Sequence, residues 1–181
     1  MIIPEDFWSP RSAYYPESAA DDYIYPPFDK DTLEVCQERL GVILPNSLIM
    51  LLKSQNGGGI EYINVGPAKN PDPIEIQGIP AITKDFASFY GLRTYEIDFG
   101  FTNDPNNDRV MAELGAKIAR PDRLVLLEKN PQYLIALDYR RCEPVAEPPI
   151  IYMDLYDDIF SYEVIADDFE QFLLKLTKPN V

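Results

Sequence analysis

Apolar residues in this chain recur at helical spacing in three stretches and alternate or cluster in short runs through much of the rest. Leu33, Cys36 and Leu40 make the first stripe, which predicts a helix opening at Asp31. Asp31 can cap it, and Glu34 three residues on closes a capping box. Gly41 takes the left-handed position that ends this helix, because glycine lacks the Cβ that penalises positive φ. Pro45 opens a second helix at its first position, where a missing N–H is no loss. Leu48, Leu51, Leu52 and Gln55 share its inner face, and Asn56 with Gly57, Gly58 and Gly59 stops it. The third stripe is Phe169, Phe172, Leu173 and Leu176, behind a capping pair of Asp167 and Glu170. Lys175 and Lys178 suit the negative end of that helix.

Between the helices the period shortens to that of strands. Residues 61–65 alternate, and 74–76 with Ile79 and Ile82 predict one or two more short strands. Residues 124–128, 133–138 and 150–155 then read as successive strands, separated by Asn130-Pro131 and a proline-rich connection at 143–149. A last strand falls at 162–165, and short helices fall at 85–91 and 108–114. The first 28 residues are too broken by proline for a long helix and too aromatic for a disordered tail. They predict an arm packed on the domain, with a helical turn near 17–23. The chain thus divides into an arm at 1–30 and a single domain at 31–181. That domain is α+β: a central antiparallel sheet with an N-terminal helix pair and a C-terminal helix packed on it.

Composition narrows the function. At 181 residues the chain suits one core. No apolar run approaches the roughly 20 residues of a membrane helix, and residues 1–10 lack a signal-peptide pattern, so the expected compartment is the cytoplasm and no membrane partner is expected. Cys36 and Cys142 read as reduced thiols. The chain contains no histidine, which removes the commonest general base and the usual zinc ligand. Sixteen basic residues against thirty acidic ones leave a net charge of −14, so nucleic acid is not an expected direct ligand and a basic protein is. Residues 138–170 alone hold ten acids against two arginines.

The segments that imitate catalytic or ligand motifs fail in detail. The glycines at 57–59 follow a helix and precede a strand, the reverse of a phosphate loop. Residues 104–108 open like a calcium loop, but Arg109 occupies the glycine position and Gly115 the bidentate glutamate position. Nothing selects a catalytic pair among Asp138, Glu143, Glu147 and Asp154, and no serine or cysteine has a recognisable base. No enzymatic activity, cofactor or metal is expected.

A family resemblance rests on several ordered segments. They are Phe7-Trp8, then Leu40-Gly41, Leu44-Pro45 and Asn56-Gly57-Gly58, then residues 134–140, 147–154 and 165–173. In this order they resemble the SUKH superfamily, the domain of the fungal Smi/Knr cell-wall regulators and of many bacterial immunity proteins. The resemblance implies an α+β fold around an antiparallel sheet, no known catalysis and, in bacteria, neutralisation of a cognate polymorphic toxin, often a nuclease. Such toxins present basic clefts that an acidic inhibitor can be steered onto. The expected function is therefore toxin neutralisation by an acidic face, with Asp138, Glu147, Asp154, Asp157 and Asp158 as contacts. The alternative is a non-catalytic scaffold or regulatory interaction module.

Overall fold

The computed structural model describes residues 3–9, 24–61, 64–65, 74–84, 91–95, 118–129, 132–145, 147–155 and 162–178. The short helices expected at 85–91 and 108–114 and the turn near 17–23 lie outside them, Gly91 excepted. Helix α1 (Lys30–Leu40) starts earlier than its sequence suggests. Asp29 is the cap, its carboxylate accepting from the Thr32 N–H at 2.8 Å and the Thr32 hydroxyl at 2.7 Å. Asp31 sits in the first turn, where negative charge is favoured, and pairs with Lys84. Phe28 and Leu33 occupy the two positions of a hydrophobic staple about an Asp29 cap, and both pack against the core. Burial of that pair explains why Asp29 displaces Asp31.

Gly41 is left-handed, at φ 68°, and ends α1 as its position demands. Its N–H donates to the Glu38 carbonyl and the Val42 N–H to that of Gln37, both at 3.2 Å. These are the two bonds of a Schellman closure. Helix α2 (Asn46–Ser54) follows, with Pro45 one position before its first residue. Leu48, Leu51 and Leu52 are buried along its inner face.

Four strands of two residues each come next: β1 (Gly58–Gly59), β2 (Asn64–Val65), β3 (Ile74–Glu75) and β4 (Gly78–Ile79). Strands β1 and β4 pair so closely that a Cβ on Gly78 would stand 2.8 Å from the Gly58 carbonyl oxygen. The main sheet is an antiparallel meander of β5 (Leu124–Lys129), β6 (Tyr133–Asp138), β7 (Ile150–Asp154) and β8 (Tyr162–Ala166), in that order. Helix α3 (Phe169–Lys175) ends the described fold with β9 (Leu176–Thr177), which pairs with β2. Asp168 caps α3, accepting from the Gln171 N–H at 2.7 Å, one residue later than the Asp167 and Glu170 pair in the sequence.

Both faces of the meander are covered. One carries Val125, Leu127, Ile135, Leu137 and Ile150 into a core shared with Cys36, Leu48, Leu51, Phe169 and Phe172. The other carries Leu124, Leu126, Leu134, Ala136, Ile151 and Met153 against Tyr95 and Ile118. Strands buried on both faces read as apolar runs rather than alternation, which is the pattern of Leu124 to Leu127 and Leu134 to Leu137. The outer edge of β5 is bonded to residues 93–94. Among the described residues β8 is the other edge. A register shift interrupts its pairing near Ile165, whose carbonyl accepts from the Lys175 ammonium at 2.7 Å.

Asn56 ties the helical half to these strands. Its side-chain amide donates to the carbonyls of Pro26 and Ile82, at 2.9 and 3.0 Å, and its oxygen accepts from the Ile82 N–H at 2.8 Å. Its own carbonyl accepts from the Tyr25 N–H at 2.9 Å. Residues 7–9 run beside this point, with Ser9 and Glu61 bonded to the Gly59 and Phe7 carbonyls and Phe7 in the core. Replacing Asn56 by leucine leaves one buried N–H and two carbonyls without partners. Urea unfolding of Asn56→Leu should show a loss of about 3 kcal/mol or more. Asn56→Asp should lose as much, because it removes both donors and sets a charge against two carbonyls.

Candidate docking surfaces at the two ends of the sheet

Strand register separates the candidate contact residues. Glu147 precedes β7 and Asp154 ends it, so at a strand's rise per residue they stand roughly 20 Å apart. The five acids singled out in the sequence therefore do not form one patch. Asp138 and Glu147 lie at one end of the sheet and Asp154 at the other, opposite Tyr133. Asp157 and Asp158 fall outside the described residues.

At the Glu147 end, Asp138 is no displayed contact, since it is only 5% exposed. Its carboxylate accepts from the Arg140 backbone N–H at 3.0 Å, from Nε at 2.8 Å and from Nη2 at 2.7 Å. This two-pronged pairing fixes the turn that leaves β6 and neutralises Arg140, whose guanidinium also lies 4.6 Å from the centroid of the Tyr162 ring. The sequence shows Asp138 and Arg140 two residues apart, but not that the pair is buried. The same turn is fastened to its neighbours. The Tyr139 N–H donates to the Arg123 carbonyl, and the Tyr139 hydroxyl donates to that of Ile43 at 2.7 Å. Burial holds the Tyr139 phenol well above its usual range.

At the Asp154 end, residues directly opposite one another share a face, which places Tyr133 beside Asp154 and Tyr152 beside Glu163. Glu128 lies in the same cross-strand row, opposite Ile135. The Tyr133 and Tyr152 rings meet at 5.4 Å between centroids, and the Tyr133 hydroxyl donates to the Glu75 carbonyl at 2.8 Å. Glu128 is buried, one carboxylate oxygen accepting from the Gln77 N–H at 2.9 Å and the other from the Lys129 N–H at 3.1 Å. Two tyrosines are thus set among four carboxylates contributed by β3, β5, β7 and β8. Sequence reasoning found Asp154 but missed Glu75, Glu128, Glu163 and the two rings. Only the pairing of Tyr152 with Glu163, seen in register, could have drawn them together.

The tyrosine pair reports this electrostatic setting. Burial, then the charges of Glu128 and Glu75, push the Tyr133 phenol up from 10.0 to about 12. The arrangement is that of an α+β domain whose distinctive chemistry lies in charged and aromatic surface. The chain matches the SMI1 / KNR4 family (SUKH-1) over residues 27–175 and belongs to that family. Phe7 and Trp8 precede the matched region. No curated protein matches the chain.

Two outcomes test these local structures. Asp138→Ala strands a mostly buried guanidinium, and denaturant unfolding should show a loss of about 3 kcal/mol. Because the folded pKa of Tyr133 lies above its unfolded value, its protonated form favours the fold. That contribution is complete below pH 10 and is lost as pH rises towards about 12. Tyrosinate absorbance should follow the loss, and Tyr133→Phe should remove its share of the alkaline destabilisation.

Proposed function

We propose that this chain is an immunity protein that binds a cognate toxin and blocks it stoichiometrically, without catalysis of its own. The supporting observation is the acid-and-tyrosine end of the sheet. There Asp154, Glu163 and Glu75 surround Tyr133 and Tyr152, and Asp157 and Asp158 follow Asp154 three and four residues on in the chain. Carboxylates offer a basic partner both long-range attraction and charge-assisted hydrogen bonds. Tyrosine adds broad, rigid contact area and a ring face for lysine or arginine. A toxin whose cleft binds phosphate would carry the complementary charge, so the partner of best fit is a nuclease domain docked through that cleft. Family membership supports an interaction role, which in the fungal branch is regulatory and in the bacterial branch is toxin neutralisation.

Co-expression with a toxin-like neighbouring gene product tests the proposal, with growth rescue and complex formation as readouts. Asp154→Lys combined with Glu163→Lys should weaken binding by at least about tenfold and abolish rescue. Glu147→Lys, at the far end of β7, should leave binding within about threefold. Equal losses from both changes would remove the assignment to this end. Failure of the unaltered chain to bind any such product would favour the regulatory module.

A further inference from the structure

The opposite end of the sheet has a different character, and no part of the proposed toxin contact uses it. Two loops meet there: residues 41–45 between the helices, and residues 139–145 and 147–149 between β6 and β7. Their backbones are joined by the Ile43 N–H donating to the Pro144 carbonyl at 2.7 Å. The Ile43 carbonyl is engaged by Tyr139. Val42 and Leu44 on either side are buried, so the extended segment turns Ile43 outward at 46% exposure. Val145, beside Pro144, is 74% exposed. Singly exposed apolar residues need no explanation. This pair is held on two loops locked to each other, which leaves little conformational entropy to lose on docking.

Charge distinguishes this end as well. Residues 120–123 and 138–147 carry four arginines and four carboxylates, a local balance in a chain of net −14. The loops that carry them are linked: Arg123 donates to the Gly41 carbonyl at 3.2 Å and Arg120 to the Arg140 carbonyl at 3.3 Å. Arg120 is held left-handed at φ 53°, unusual for a residue other than glycine. A surface that meets its own copy must be complementary to itself, with both signs of charge about an apolar centre. The acid-and-tyrosine end fails that requirement, since two copies would oppose carboxylate to carboxylate. Screening over about 8 Å at physiological salt makes local balance count for more than the total charge.

We propose that the loop end centred on Ile43 and Val145 is a self-association face on which a second copy of this chain docks about a twofold axis. The two apolar side chains of each copy would pack across the axis, ringed by arginine and glutamate contacts of alternating sign. Because the face lies at the far end of β7 from Asp154, a toxin could occupy Asp154 in the same dimer.

Sedimentation equilibrium of the full chain across the micromolar range tests this. A reversible monomer–dimer equilibrium is expected, weakened about tenfold or more by Val145→Asp and by Ile43→Asp. Both positions are exposed, and circular dichroism should show both variants folded. Leu174→Asp, on an exposed face of α3, should leave the equilibrium unchanged. A chain that stays monomeric throughout overturns the proposal, as does a dimer weakened equally by Leu174→Asp or unaffected by Val145→Asp.

Discussion

The Asn56 side chain is the interaction on which the rest of the structure depends. An apolar core can hold helices against a sheet, yet it is nearly indifferent to how they are joined. Three directional bonds from one buried amide remove that indifference. They fix the strap at residues 25–26, the end of α2 and the segment that follows β4 at a single point. The glycines that follow then let β1 pass close to Gly78, and residues 7–9 align beside Gly59 and Ile60. Donor and acceptor are both used, so no isosteric apolar or charged residue can serve in its place.

From that junction the main sheet imposes a second order, which is spatial separation of charge. A meander of short strands has two ends, and each connection belongs to one or the other. Carboxylates beside Tyr133 and Tyr152 collect at one end, while the turns of residues 120–123 and 138–141 at the other carry arginines with acids interspersed, two of the arginines reaching back to the Tyr162 ring on β8. A net charge of −14 is therefore a poor description of either surface.

Much of the fold was legible from periodicity. The leucine stripe of α2, the left-handed Gly41 and the four strands of the meander follow from spacing and turn residues, because those choices depend on near neighbours. Helix caps were less so. Asp29 won over Asp31 through packing of Phe28 and Leu33 on the core, which a local pattern does not weigh, and Asp168 took the cap from its neighbour Asp167. Asn56 looked like punctuation before glycines, since its partners lie 26 and 30 residues away. The candidate surfaces were the least legible. Asp138 and Glu147 share a strip of sequence with Asp154, but register sets them at opposite ends, and burial turns Asp138 from a displayed acid into the anchor of Arg140.

The edge of β8 bears on how copies of this molecule can meet. Open strand edges allow one chain to add to the next without limit, which leads to fibres rather than particles. Here the shifted register at Ile165 bends the ladder, and the Lys175 ammonium occupies the carbonyl that a new strand would need. Extension of the main sheet past β8 is hindered at that point by a lysine from the neighbouring helix. An assembly that leaves this edge untouched is built face to face rather than strand to strand.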